Sequence, residues 1–294
     1  MAIYFSENEV NYARKKYYGK FYIIKNNLNL ISKLINKILI FFYNAKFSLI
    51  NLKRKIYRIK YFFYFRKKPL SKFEKFSINL DENSIEKISN NLKLNNFAFI
   101  ENFLTTDSYN YLVNNWPNIN LFNHNKNILK HYSRGFIYSS GISKNIENYS
   151  DFKYSAELKK FYEFLISKEF KNFYSKLVKF KKFDFFMHAI SSTMATKNSY
   201  LIPHVDGISD TPTQMPYNFI YFLDGYEEDP INGGATGIYK DNEFKSAIFI
   251  PKTIKNSVLI YNQSEKFYHG FRSINSPSNI YRKTINFKIK PNNF

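Results

Sequence analysis

From residue 183 onward the chain breaks into short β-type runs rich in Val, Ile, Phe and Tyr, with Gly, Pro, Asn and Asp filling the gaps. The runs cover 183–190, 217–223, 236–239, 246–250, 257–261, 267–271 and 281–289. Short strands with this punctuation predict a β-sandwich or barrel. The middle of the chain has a different period. Leu158, Phe161, Phe164 and Leu165 recur at helical spacing, and so do Phe170, Phe173, Tyr174 and Leu177. Such aromatic stripes predict core-facing helices over 151–180.

Ahead of them, Asp81 stands as the N-cap of a predicted helix. Residues 97–100 read as a short strand, followed by a helix to about Trp116, where Pro117 stops it. Residues 118–150 are Asn- and Ser-rich with weak periodicity, which predicts a loop or lid with short strands. His124 and His131 within it read as surface groups.

Residues 1–70 form a separate zone. They hold 16 Lys+Arg against 2 Glu, so most of the net charge of +21 sits in this quarter. Apolar residues recur at Leu28, Ile31, Leu34, Ile35, Ile38, Leu39 and Phe42, the pattern of an amphipathic helix. Two readings stand. The helix packs on the main domain or another subunit, or it lies on an anionic membrane surface with its lysines at the headgroups. No nucleic-acid module accompanies the basic residues, which argues against nucleic acid as a partner. The longest uncharged run, 38–45, is far below the roughly 20 residues that span a bilayer. A boundary is expected at Pro69, giving a basic helical extension over 1–70 and a main domain over 71–294.

There is no cysteine. Disulfides, thiolate metal sites and cysteine nucleophiles are excluded. The first residues carry no basic segment followed by an apolar run, so no secretory signal is expected. The expected location is the cytoplasm, at a membrane surface if the basic segment binds lipid.

Within the β region lies Pro203-His204-Val205-Asp206-Gly207. In a strand, residues i and i+2 point the same way, so His204 and Asp206 can share one face. His269 lies in another β-type run, and Arg282 follows it by thirteen residues. Two His and one carboxylate on one face, with the other face open, is the donor set of iron(II) in oxygenases. His188, in the run before the motif, reads as a packing residue.

His204-x-Asp206, the distal His269 and Arg282-Lys283-Thr284 together resemble the Fe(II)/2-oxoglutarate dioxygenase superfamily, in its prolyl-hydroxylase-like branch. The ordered resemblance runs over about 95–290 and includes the 97–107, 218–224, 233–239 and 251–261 stretches. It implies an α+β fold: a double-stranded β-helix (jelly-roll) core with flanking helices, preceded here by the basic helical extension. It implies that His204, Asp206 and His269 bind Fe(2+), and that Arg282 binds the distal carboxylate of 2-oxoglutarate, with Thr284 adding a hydroxyl. Phe222 stands where many relatives place a co-substrate Tyr, and Asn218 on the same strand face is the candidate to replace it. The implied chemistry consumes O2 and 2-oxoglutarate, releases succinate and CO2, and hydroxylates a small-molecule or peptide substrate. An Asp at 206 favours hydroxylation over halogenation. The substrate options are a peptidyl proline, a sugar, a lipid headgroup or another small molecule. The alternative from another class is a non-catalytic β-sandwich scaffold held to a membrane or partner by its basic N-terminus.

Overall fold

The structure is a computed structural model. It describes residues 3–4, 30–61, 63, 73–127, 129–138, 156–178, 185–206, 217–225, 233–262, 267–275 and 282–291. The expected boundary at Pro69 and the stretches 139–150 and 207–216 lie outside the described residues.

Five α-helices are described: α1 (Leu30–Lys60), α2 (Glu82–Asn95), α3 (Thr106–Asn114), α4 (Ala156–Leu165) and α5 (Lys168–Val178). The strands are β1 (Ile3–Tyr4), β2 (Phe97–Ile100), β3 (Asn123–Asn127), β4 (Lys130–Tyr138), β5 (Phe185–Ala195) and β6 (Tyr200–Asp206), then β7 (Tyr217–Asp224), β8 (Gly237–Tyr239), β9 (Ala247–Phe249), β10 (Ser257–Asn262), β11 (Tyr268–Phe271) and β12 (Arg282–Pro291). The main path is antiparallel in the order β2-β10-β7-β12-β5-β4-β6-β11-β8-β9, with β1 paired to β6 and β3 to β4. The sheet curls on itself as a double-stranded β-helix. Side chains from β8 meet those of β7 and β10 in one buried cluster, Ile238 with Phe222 and Leu259, although these strands stand far apart in the order.

All seven β-type runs fall on strands. The outer face of β7, β10 and β12 is greasy, and the helices cover it. Phe161, Phe170 and Phe173 pack with Phe219, Tyr221 and Phe287 in one cluster, and the rings of Phe219 and Phe287 stack at 4.8 Å. Each such fully buried ring contributes about 1.5–3 kcal/mol. Asp81 caps α2 by accepting from Ser84 N–H at 2.7 Å, and Asn96 closes that helix at φ 60°.

One stretch differs from expectation. The strands expected within the 118–150 loop are present but more regular than that: 118–138 forms a 3-10 turn, the edge strand β3 and the nine-residue β4, which sits inside the sheet between β5 and β6. Its order comes from partners at residues 189–201, far along the chain. Local apolar alternation therefore carried little of the signal.

The long helix α1 docks on this region. Phe47 is buried, stacked on the His124 ring at 4.7 Å and edge-on to His131 at 5.2 Å, so both histidines serve as packing groups rather than loose surface ones. The Asn51 amide grips the open edge of β3: its Nδ2 donates to His124 O at 3.0 Å and its Oδ1 accepts from His124 N–H at 2.7 Å. Arg54 is buried and donates to Ser133 Oγ at 2.7 Å. Among the described residues no helix is long and apolar enough to cross a membrane.

Asn51→Ala removes both edge contacts and leaves the His124 amide without its acceptor. The expected cost is about 2 kcal/mol. It is read as a lower urea midpoint at unchanged slope, with faster hydrogen exchange at His124.

Candidate metal centre

The centre is made where β6 and β11 pair. His269 lies opposite His204, yet two residues on, Phe271 lies opposite Leu201, so the register slips by one between them. The slip falls at Ile202–Pro203. Proline has no N–H to give a ladder, and a bulge is where a strand tolerates it. The bulge resets the alternation, so that Leu201 packs with Tyr132 and Phe271 while Tyr200 and Ile202 join a different cluster. His204 and Asp206 then face the same point as His269. Gly270 makes this approach feasible: a Cβ there would stand 2.6 Å from Leu201 O and 2.7 Å from Pro203 N.

The donor atoms of His204, Asp206 and His269 all lie within 4.8 Å of one another. Asp206 Oδ1 is 3.5 Å from His204 Nε2 and 3.8 Å from His269 Nε2, and the two imidazole centroids are 4.4 Å apart. Ligands about 2.1 Å from one ion and at right angles stand about 3 Å apart. A shift of under an ångström in each side chain therefore closes this set on a single ion. His204 Nδ1 lies 2.8 Å from Ile202 O. Donation to that carbonyl puts the ring proton on Nδ1 and leaves the Nε2 lone pair toward the site.

The electrostatics suit ligation. Burial pushes the Asp206 carboxyl up, but Lys288, then His269 and His204, outweigh it and hold it well below the usual carboxylate range. Burial, helped by the neighbouring His204, brings His269 down to about 3, against the opposing pull of Asp206. At neutral pH the carboxylate is charged and the His269 imidazole neutral, the forms that bind metal. Lys288 reaches across from β12 and donates to Asp206 Oδ2 at 2.5 Å. Oδ1 is thereby kept as the oxygen facing both imidazoles.

A second polar cluster lies at the start of β12. Arg282 is buried, its guanidinium 4.3 Å from the Phe271 ring centroid and 5.4 Å from that of Phe222. It donates to Thr236 Oγ1 at 2.7 Å, to Thr284 Oγ1 at 3.3 Å, to Thr193 Oγ1 at 3.5 Å and to Gly234 O. Thr193 and Thr284 hydroxyls are themselves in contact at 2.5 Å. Arg282 and Thr284 thus come together as expected partners, inside a ring of three hydroxyls.

Asn218 sits elsewhere. It lies opposite Lys288 on β12 and Tyr261 on β10, whereas Phe222 lies opposite Thr284. Four residues of strand, about 13 Å, separate Asn218 from the rung beside Arg282. Asn218 belongs to the metal end, where the Tyr261 ring is 5.2 Å from that of His269. The Asn218 amide is buried beside the Tyr261 hydroxyl, and among the described residues Asn286 Oδ1, on the same sheet face, meets no hydrogen-bond donor. Phe222 meets Arg282 with a ring face instead of a hydroxyl. His188 falls on β5, and its side chain lies outside the described residues.

Sequence reasoning missed Lys288, Thr193, Thr236 and Tyr132. For Lys288 a signal existed: Arg282, Thr284, Asn286 and Lys288 alternate with Lys283, Ile285, Phe287 and Ile289 along β12. The polar set faces inward and the apolar set packs under the helices. Tyr132 is buried, its ring edge-on to Phe271 at 6.1 Å, the same Phe271 ring that lies against the Arg282 guanidinium. No local pattern in 118–138 marks it.

No protein-family model matches the chain, and no curated protein matches it. Solved structures do. One is a prolyl hydroxylase from Trichoplax adhaerens in complex with a hypoxia inducible factor oxygen degradation domain peptide fragment: 13% identity, TM-score 0.50, covering 71% of this chain and 90% of that one. Another is an oxidoreductase of the 2OG-Fe(II) oxygenase family from Burkholderia pseudomallei: 10% identity, TM-score 0.51, covering 74% and 95%. A third is HygX from Streptomyces hygroscopicus with nickel, 2-oxoglutarate and hygromycin B bound: 11% identity, TM-score 0.50, covering 71% and 88%. At this identity the likeness is one of fold, and it confirms the double-stranded β-helix.

Two outcomes follow from the geometry. An unfolded His titrates near 6.5, whereas His269 in the folded chain titrates near 3. Unfolding therefore takes up a proton between those values, and stability falls as pH drops through that window. His269→Gln is expected to flatten the stability–pH curve between about 6.5 and 4, measured by denaturant titration at each pH. Gly270→Ala is expected to cost about 3 kcal/mol or more, because backbone atoms block the new methyl. A second measure is loss of Co(II) binding, since the His204–His269 register must shift.

Proposed function

We propose that this protein is an Fe(II)- and 2-oxoglutarate-dependent dioxygenase that hydroxylates an organic substrate. The observation that carries the reading is the pairing of the His204–Asp206–His269 donor set with the Arg282 cluster inside one curled sheet. The donor set suits iron(II) held on one face. Arg282, with the hydroxyls of Thr193, Thr236 and Thr284 around it, presents donors of the right type and number for one carboxylate. Arg282 and Lys288 are both inward-facing cations. With a divalent ion added to them, the single charge of Asp206 leaves the interior strongly positive, which matches a dicarboxylate.

Bound iron(II) and 2-oxoglutarate supply an oxidant from O2 that removes a substrate hydrogen, with succinate and CO2 released. The chain's residues set the conditions. His204, Asp206 and His269 would hold the ion from one side. Lys288 keeps Asp206 to one oxygen. Arg282 orients the co-substrate by its far carboxylate, and the surrounding Phe222 and Phe271 rings exclude water and strengthen that pair. Asn218 and the Asn286 Oδ1 put hydrogen-bonding groups with spare capacity beside the metal end. They favour a polar substrate over a hydrocarbon. A peptide or a polar small molecule fits; the Trichoplax adhaerens structure holds a peptide fragment and the HygX structure holds hygromycin B.

The test is anaerobic addition of Fe(II) and 2-oxoglutarate to the full chain. A metal-to-ligand charge-transfer absorption band is expected, absent in Asp206→Ala and His269→Ala. Arg282→Ala is expected to weaken 2-oxoglutarate binding about 100-fold at unchanged Fe(II) affinity. A folded protein that binds Fe(II) and shows no band rules out the reading and favours the scaffold alternative.

A further inference from the structure

Helix α1 is two-sided, and among the described residues one side packs on the domain and the other is exposed. Phe47, Asn51, Arg54 and Arg58 dock on the region around β3, spaced 4, 3 and 4 residues apart. At 100° per residue, the opposite side of the helix carries Leu34, Ile38, Leu49, Leu52, Ile56 and Ile59. These six side chains are 60, 46, 59, 54, 48 and 53% exposed. Phe41 and Phe42 add two rings to the same side, 68 and 66% exposed. Isolated exposed apolar residues need no explanation, but a continuous stripe about 40 Å long does.

The charges beside the stripe have one sign. Lys37 and Lys55 flank it on one edge and Lys46, Lys53 and Lys60 on the other, all exposed. The helix contains no Asp or Glu. This distribution disfavours a second copy of the helix as the occupant. The apolar side by itself can be written as a heptad seam, Ile38, Ala45, Leu52 and Ile59 alternating with Phe42, Leu49 and Ile56, so it is the charge that decides. Two copies would bring the row of Lys46, Lys53 and Lys60 and that of Lys37 and Lys55 together with no acid on the helix to pair them. An apolar stripe between two lysine rows is instead the pattern of a helix lying in a membrane interface.

We propose that the outward side of α1 lies on an anionic lipid surface, its apolar side chains at the headgroup–acyl boundary and its flanking lysines on the lipid anions. The docked side then holds the β-helix domain against that surface. Phe41 and Phe42 stand on the apolar face, where interfacial helices carry Phe and Leu. The inference is independent of the metal centre.

The test uses the full chain and phosphatidylcholine vesicles with and without about a third phosphatidylserine, scored by co-sedimentation. Binding is expected to be at least about tenfold tighter to the anionic vesicles and to weaken on raising salt from about 0.1 to 0.5 M. Leu52→Ser with Ile56→Ser is expected to weaken it about tenfold or more. Lys53→Glu with Lys60→Glu is expected to do so about 25-fold. All four positions are exposed, so thermal midpoint and the Fe(II)/2-oxoglutarate absorption band stay unchanged. If one pair perturbs folding, the other still decides. No binding, equal binding to both vesicles, or binding untouched by both pairs overturns the proposal. So does a solution dimer that the Leu52 and Ile56 substitutions convert to monomer, because a second copy would then be the occupant.

Discussion

A β-strand shows successive side chains to opposite sides, and β12 uses that rule to serve two masters. Its odd residues Ile285, Phe287 and Ile289 are buried under α4 and α5, locked in an aromatic cluster. Its even residues Arg282, Thr284, Asn286 and Lys288 face the inside of the curled sheet. A one-residue slip would drive four polar groups into the helix-covered core and turn the apolar set into the site. The register of β12 on β5 and β7 is therefore held by both faces at once. The metal end and the Arg282 end of the interior inherit their separation from it.

Against that fixed frame, β6 needs the opposite treatment. Regular alternation through Tyr200–Asp206 would send Leu201 and His204 to opposite sides. The bulge at Ile202–Pro203 lets Leu201 keep its place with Tyr132 and Phe271 while His204 and Asp206 turn to His269. Gly270 on the neighbouring strand gives the bulge room. Two local features, a proline that donates no hydrogen bond and a glycine with no side chain, thus bring three donors onto one point. The charge of Lys288 then keeps Asp206 ionised in a buried place. Among the described residues the Asn286 Oδ1 stays without a donor beside it, a local conflict of the sort that marks functional sites.

The basic extension follows the same logic of two faces at helical rather than strand period. One side of α1 is specific: the Asn51 amide on a strand edge, Arg54 buried on Ser133, Phe47 on two imidazoles. The other side is unspecific, apolar between lysines. Specific contacts suit one folded partner, and an unspecific stripe suits a fluid surface.

The sequence by itself determined the β-run texture, the helical stripes over 156–178, the Asp81 cap, and the His204, Asp206 and His269 whose donor atoms converge. These depend on local periodicity and residue chemistry, which the linear chain carries. It also held the two options for 1–70 without choosing between them, because an amphipathic stripe does not say which neighbour covers it. Only the tertiary structure decided that β4 is an inner strand, that His124 and His131 pack against α1, that Asn218 lies at the metal end rather than beside Arg282, and that Lys288 holds Asp206. Each of these is a contact between segments about 50 to 85 residues apart in the chain, brought together by helix docking and sheet closure. Closure depends on the whole order of strands, and no window of the sequence contains it.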